Sequence, residues 1–287
     1  MPELPEVQTV VNDLNEKIKG KTITGFWSDW KKIVKEPAFN IYKKEIIGRK
    51  IIKVWRLGKN IFINLSGGKT LYIHLKMTGH LLVKSQTSNA KLLKVNYFNE
   101  KVNQYIHNKW YLDDNMTLEF SDVRKFGKII LIDADKIKEL KGIKELGIDL
   151  MSSDFKLEKF KEILSKRKSK AIGLVLMEQE LLAGIGNIYR SEILFEAKIS
   201  PLRLVGQIKE RETEILYKAI IKILKEAIKL RGTSDSDYRD TSGAPGGFQK
   251  VLKVYRRDGQ KCFGCPGEVK RLKIGGRTAF YCEKCQK

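Results

Sequence analysis

Cys262 and Cys265 are followed, after sixteen residues, by Cys282 and Cys285, and all four cysteines of the chain lie in its last 26 residues. Two Cys-x2-Cys knuckles at this separation place four thiolates within tetrahedral reach of one Zn2+. Four cysteine ligands leave no coordination position for a substrate, so the metal builds structure. A redox pair is the weaker reading of the same spacing. Gly267, Gly275 and Gly276 separate the knuckles and suit a β-hairpin. Arg271, Lys273 and Arg277 on that hairpin either present cations to phosphate or form a solvated basic turn.

Cysteines confined to one end cannot staple the remaining chain, so its 287 residues must bury their own cores. That length suits two domains and a small appendage. Lys and Arg number 56 against 34 Asp and Glu, a net charge of +22. An excess of this size points to nucleic acid or an anionic membrane. The sequence has no 18-residue apolar run, signal peptide or lipidation motif, which disfavours the membrane. A soluble, cytoplasmic protein is expected.

At the other end stands Met1-Pro2-Glu3-Leu4-Pro5-Glu6. Proline at position two permits removal of Met1, and the exposed secondary amine could then attack carbon and form an iminium ion. Its unperturbed pKa would lie near ~8, leaving part of it neutral at pH 7. A plainer reading is that the prolines start a helix whose acids complement its dipole. Val7, Val10, Val11, Leu14 and Ile18 follow helical spacing, and Gly20 stops the helix. Strands are expected at 50–56, 61–65, 70–75, 110–112, 116–120 and 128–132, with turns at Gly58-Lys59-Asn60 and Gly67-Gly68. The pattern is an antiparallel sandwich. Residues 84–108 read mostly as loop.

Beyond about residue 135 helical patterns dominate, at 157–165, 171–179, after Gly184-Ile185-Gly186-Asn187, and along Leu216, Ile220, Ile223, Ala227 and Leu230. Residues 232–249, rich in Gly, Ser, Thr and Asp, read as a mobile loop. Gly184-x-Gly186 could cradle a phosphate at a helix start, with Lys166, Arg167, Lys168 and Lys170 upstream, although ordinary helices begin this way too. Met77 and Phe126 each lie near a glycine and could wedge into a base stack, but such residues are more often core. His74 reads as a core histidine.

These stretches, in this order, resemble bacterial formamidopyrimidine-DNA glycosylase. The resemblance rests on Pro2-Glu3-Leu4-Pro5-Glu6-Val7, Lys59, His74-Leu75-x-Met77-Thr78-Gly79, Asp122-x-Arg124-x-Phe126-Gly127, Gly184-x-Gly186-Asn187-Ile188-Tyr189 and the finger ending Cys285-Gln286. It implies an α+β multidomain fold: an N-terminal antiparallel β-sandwich with a leading helix (1–135), a helix-two-turns-helix domain (136–250) and a zinc-finger hairpin (251–287). It implies a bifunctional glycosylase and abasic-site lyase of base excision repair, acting on double-stranded DNA with oxidised bases or abasic sites, and a monomer.

By matching positions, Pro2 is the nucleophile, Glu3 the acid for ring opening, Lys59 the support for β-elimination and Arg277 the residue tied to δ-elimination. Met77, Arg124 and Phe126 match the residues that fill the gap left by a flipped base. His107, Lys168, Asn187, Tyr255 and Arg271 match DNA-backbone contacts, and the segment 233–248 matches the cap over the base. Leu4, where the related endonuclease VIII has glycine, favours oxidised purines such as 8-oxoguanine and formamidopyrimidines. The alternatives are an oxidised-pyrimidine glycosylase, or a silent damage-binding protein on the same fold.

The chain also departs from the family. Gly173 replaces a frequent lysine, a Lys-His-x-His segment is reduced to His107, Gly-Gly-Thr reads Arg231-Gly232-Thr233, and Leu-Gly-x-Glu-Pro reads Leu146-Gly147-Ile148-Asp149-Leu150. Elemental analysis of the purified protein should find one zinc per chain; a content well below one would remove the four-cysteine site.

Overall fold

The computed structural model describes residues 1–85 and 97–287. It contains two compact units, Met1–Lys144 with Leu230–Gln249, and Glu145–Lys229 with Lys250–Lys287.

The first unit opens with α1 (Leu4–Lys17), capped by Glu3 in extended backbone. Pro5 lies in the first turn, where a helix has no use for the missing N–H. Val7, Val10, Val11, Leu14 and Ile18 are all buried, as their spacing predicts. Then come β1 (Ile23–Ser28), β2 (Val34–Glu36), α2 (Phe39–Ile46), β3 (Ile51–Leu57), β4 (Asn60–Leu65), β5 (Lys69–His74), β6 (His80–Ser85), β7 (Ile106–Leu112), β8 (Met116–Ser121) and β9 (Lys128–Asp133). They form a four-stranded sheet, β1-β7-β8-β6, and a five-stranded sheet, β2-β9-β5-β4-β3. Among the described residues of these two sheets, only the short β2–β9 pairing is parallel.

One apolar core joins the two sheets and α1. Phe26, Leu81, Trp110, Leu118 and Phe120 come from the first sheet, and Ile61, Ile63, Leu71, Ile73, Ile129 and Leu131 from the second. Alternate positions on each strand enter this core, the period-two pattern of a sandwich. Fully buried Trp110 keeps its indole N–H satisfied by donating to the Tyr42 hydroxyl at 2.8 Å. Burial raises the Tyr42 phenol pKa well above its ordinary value. At the edge strand β3, the Asn15 side chain accepts the Val54 N–H at 2.9 Å and donates to the Val54 carbonyl. That capping occupies backbone groups which an exposed edge would leave open.

The expected strands fall on β3, β4, β5, β8 and β9 apart from their end residues and on the last three residues of β7, while β1, β2 and β6 were not expected. The loop expected at 84–108 needs correction. Residues 86–96 lie outside the described residues. Beyond them are two short 3-10 turns, Tyr97–Asn99 and Lys101–Gln104, and β7 already begins at Ile106. His107 therefore lies on a strand, at the register shift between β7 and β8.

The segment 230–249, grouped from sequence with the helical domain, belongs to the first unit. Its composition suggested a mobile loop. It is indeed coil up to a short turn at Phe248–Lys250, but hydrogen bonds to α1 and β6 tie it down.

The second unit contains β10 (Ile148–Asp149), α3 (Leu157–Ser165), α4 (Ile172–Val175), β11 (Leu182–Ala183), α5 (Asn187–Glu196), α6 (Glu210–Lys229), β12 (Val269–Ile274) and β13 (Arg277–Cys282). Leu216, Ile220, Ile223 and Ala227 form the buried face of α6. The helix expected at 171–179 is a single turn. Its start is captured by a neighbouring segment: Ile172 N–H donates to the Arg203 carbonyl and Gly173 N–H to the Pro201 carbonyl. A Cβ at position 173 would lie 2.8 Å from the Pro201 oxygen, so glycine here permits a close backbone approach.

The cysteine hairpin packs with these helices. Buried Arg190 on α5 donates to the Thr278 carbonyl at 3.0 Å. Buried Glu192 accepts the N–H groups of Lys253, Val254 and Tyr255 at 2.8, 3.0 and 2.8 Å. Tyr42→Phe should leave the Trp110 N–H buried without an acceptor and cost about 1–2 kcal/mol. Urea unfolding should show that loss as a lower midpoint with an unchanged slope.

Candidate active site and nucleic-acid interface

In the first unit, the N-terminal stretch is held by one carboxylate. Glu6 accepts the Glu3 N–H at 2.7 Å through one oxygen and the Thr233 N–H at 2.7 Å through the other. Glu6 is 1% exposed and Glu3 3%. Pro2 is buried and Met1 exposed, so the proline nitrogen is enclosed by the fold while still in a peptide bond to Met1. The structure thus places the candidate nucleophile and acid together at a helix N-terminus, where the dipole favours negative charge.

Lys59 lies at the β3–β4 turn and is buried despite its charge. It belongs to a crowd of cations. Burial first, then Lys76, Lys59 and Lys128, pushes the half-buried His74 imidazole down to about 3. Burial, followed by Lys76 and Lys35, also depresses the Lys128 ammonium. Lysines this close together repel one another, and an anionic ligand such as a phosphodiester would relieve that repulsion.

Met77, Arg124 and Phe126 meet at the surface. Met77 is 44% and Phe126 50% exposed. The Arg124 guanidinium lies 3.2 Å from Met77 Sδ and stacks 4.7 Å above the Phe126 ring. Both apolar residues were candidates for core, but the structure puts them outside it. The loops that carry them are fixed from below by buried Asp122. Its carboxylate accepts the Phe126 and Gly127 N–H groups at 2.9 and 2.8 Å and the Thr78 hydroxyl. Gly79 and Gly127 lie against Phe120, where a Cβ would meet the ring at 2.8 and 2.5 Å. His107 is held elsewhere in this unit, with Nδ1 at 2.9 Å from the Asp29 carboxylate.

In the second unit, Asn187 opens α5 after Gly186. Its side-chain amide donates to the Thr278 carbonyl at 2.9 Å, and its oxygen accepts from Arg190 at 2.6 Å. The helix start and the hairpin are therefore linked by the residue read as a backbone contact. Tyr255 is buried, with its ring edge-on to Phe280 at 5.2 Å. Lys168 is exposed beside Gly206 and lines a cavity of about 290 Å3 with Lys161, Ser165 and Thr213. Arg271 is exposed and faces Asp258 at 3.4 Å.

Arg277 is exposed at the head of β13, directly after the Gly275-Gly276 turn. Both glycines have positive φ, +56° and +73°, as a two-residue hairpin turn of this type requires. The four cysteine sulfurs lie within 4.8 Å of one another, with Cys262–Cys285 at 3.7 Å and Cys265–Cys282 at 3.5 Å. Sulfurs ~2.3 Å from a central zinc would be separated by nearly these distances. The Gly264 and Gly267 N–H groups point at Cys262 and Cys265 Sγ, as suits thiolates. The set fits one structural Zn2+.

Sequence reading undervalued Glu6, which it took for a dipole partner. It also passed over Asp122 inside a motif it had already marked. Asp13 carried no local signal, and Arg231 stood out only as the residue that replaces the first glycine of the family's Gly-Gly-Thr.

A basic two-unit chain with a zinc hairpin, a surface wedge and an enclosed N-terminal proline has the make-up of a DNA-repair glycosylase. Residues 1–129 match the formamidopyrimidine-DNA glycosylase N-terminal domain, and residues 146–239 match the H2TH domain of the same proteins. The chain is 40% identical to formamidopyrimidine-DNA glycosylase of Pelotomaculum thermopropionicum, covering 100% of this chain and 99% of that protein. It is 38% identical to the Carboxydothermus hydrogenoformans protein, covering all of both. Lactococcus lactis Fpg in complex with DNA containing an abasic site superposes with a TM-score of 0.85 at 33% identity, covering 99% of each chain. A variant of that protein with DNA containing Fapy-dG gives 0.86 at 33% identity over 100% of each. The chain belongs to the formamidopyrimidine-DNA glycosylase family.

Part of the acid response of the first unit follows from His80, which has no exposure. Burial pushes its imidazole down to about 4, against smaller opposing effects of the Thr78 carbonyl and Asn103. The unfolded chain takes up this proton near pH ~6.5, and the folded chain only near 4. The contribution is therefore complete above pH ~6.5 and lost as pH falls toward 4, on the order of 3 kcal/mol in all. His74 acts in the same sense. In denaturant titrations at pH 7 and pH 4.5, His80→Asn should lose less stability on acidification than the wild type; an identical loss would exclude His80 as the source.

Proposed function

We propose that this protein excises oxidised purines, 8-oxoguanine and formamidopyrimidines, from double-stranded DNA and then cuts the strand at the abasic site. It is a DNA glycosylase of base excision repair by family, and the reading adds the residues and the lesion class. The observation that carries it is the buried Pro2-Glu3 pair, fixed at the head of α1 by Glu6.

Once Met1 is removed, the Pro2 nitrogen attacks the sugar C1′ and the base leaves. Glu3 supplies the proton that opens the sugar ring, and the amine becomes a Schiff base to C1′. The strand is then cut by β-elimination followed by δ-elimination. Lys59, within its crowd of lysines, supports the first elimination and holds phosphate. Arg277, at the hairpin tip, serves the second. Met77, Arg124 and Phe126 fill the space vacated by the extruded nucleotide, the cost of unstacking being a few kcal/mol.

His107, Lys168, Asn187, Tyr255 and Arg271 serve the DNA backbone. For Asn187 and Tyr255, engaged within the second unit, this includes shaping the segments that approach the phosphates. Among the described residues no helix is long and apolar enough to cross a membrane. The excess of cations suits a protein that acts on DNA in the cytoplasm, and binding should weaken steeply with salt.

Sodium borohydride should trap the mature protein on duplex DNA containing 8-oxoguanine. Pro2→Gly, which exchanges the secondary amine for a primary one in a more flexible start, should lose at least about ten-fold in trapping rate. Equal trapping would remove Pro2 as the nucleophile. Tight lesion binding without any cleavage by the processed wild type would favour the silent damage-binding alternative.

A further inference from the structure

Arg231 occupies a backbone position that favours glycine, with φ +63°. An L-residue is strained there and persists only when its surroundings hold it. Those surroundings are two carboxylates. Arg231 Nη2 lies 2.6 Å from Asp13 Oδ2 on α1, and Nε and Nη2 lie 2.9 and 2.7 Å from Asp240 Oδ2. The Asp13 and Asp240 side chains are only 7% and 4% exposed, against 46% for the guanidinium. One cation therefore neutralises two acids that are almost out of water, and without it both would be left uncompensated.

Other bonds converge on the same place. The second Asp240 oxygen accepts the Ser242 and Ala244 N–H groups at 2.8 and 3.1 Å. Thr241 donates its hydroxyl to Asp13 at 2.9 Å, and its carbonyl accepts the Val83 N–H at 2.8 Å. Lys17 reaches the hydroxyls of Thr241 and Ser242 at 2.8 and 2.7 Å. At the base of the segment, Gly247 N–H donates to the Leu230 carbonyl at 2.7 Å and Phe248 N–H to the Gly232 carbonyl at 3.0 Å. Between the base and the clamp lies a short tip that includes the exposed Ser236.

We propose that Arg231 is a positioning residue for base excision: by bridging Asp13 and Asp240 it locks residues 240–244 to α1 and confines movement of the segment to its tip. This rests on reading 233–248 as the cap over an extruded base. A cap with a fixed far side meets the base in one register, whereas an unclamped one must first be ordered, and that ordering slows capture. A strand that has already lost its base does not need the cap, so cutting at a preformed abasic site is insensitive to the clamp.

The test compares single-turnover excision from an 8-oxoguanine duplex with cleavage of a duplex carrying a preformed abasic site, for Arg231→Gly, Arg231→Lys and the triple variant Asp13→Asn/Arg231→Gly/Asp240→Asn. The triple variant removes the acids together with the cation, so no charge is left buried alone. Excision should slow about ten-fold in Arg231→Gly and in the triple variant, a coupling of ordinary size for a lost network. Arg231→Lys, which keeps the charge without the two-pronged geometry, should recover part of the loss. Abasic cleavage should stay within about two-fold, and amide exchange over 240–244 should quicken.

Wild-type excision by the triple variant would overturn the proposal, as would an equal fall of both activities with a lowered Tm. Deletion of 235–237 separates the two layers. If it spares excision, the cap reading itself fails. If it impairs excision while Arg231→Gly does not, only the clamp fails.

Discussion

A single carboxylate governs the first unit. Glu6 is almost wholly removed from water, and a buried negative charge is tolerable only when fixed dipoles surround it. One of its oxygens takes the N–H of Glu3 and the other that of Thr233. The first bond holds the residues next to Pro2 in extended backbone, ready to enter the helix. The second carries the segment 230–249 back to α1. The packing allows no slack here, since a Cβ on Gly232 would meet Glu6 Oε1 at 2.6 Å. Residues close to a chain end are ordinarily poorly ordered, whereas here those directly after the exposed Met1 are buried.

The same device recurs elsewhere. Asp122 gathers the N–H groups beneath the Met77–Arg124–Phe126 wedge, and Glu192 gathers three from 253–255 beneath the zinc hairpin. Each acid is buried, and each fixes a segment containing residues proposed to serve DNA binding. Lysines and arginines at the surface attract phosphate, while acids placed there would repel it, so acids are best used where backbone N–H groups screen them.

How much could be read from the residues depended on the range of the interaction. The helical row of α1, the paired glycines at the hairpin turns and the spacing of the four cysteines act within a few residues of one another, and all were legible. His107 was misplaced because the β7–β8 register shifts at this point, which breaks the alternation that would have marked a strand. The helix at Ile172 was overextended because the Pro201 and Arg203 carbonyls, remote in sequence, capture its first N–H groups. Phe126 and Met77 looked like core since apolar character does not say which side of a sheet a residue will face. Arg231 and Asp13 were invisible as a pair, being 218 positions apart.

That separation has a consequence for synthesis. Glu6 leaves the ribosome 227 residues before Thr233, its partner in the finished fold. The first unit is interrupted by the whole of 145–229, so it cannot be completed when its own strands have emerged. Until the returning segment is translated, the nascent sandwich lacks the Thr233 N–H bond to Glu6, and a polypeptide truncated before residue 230 could never form it.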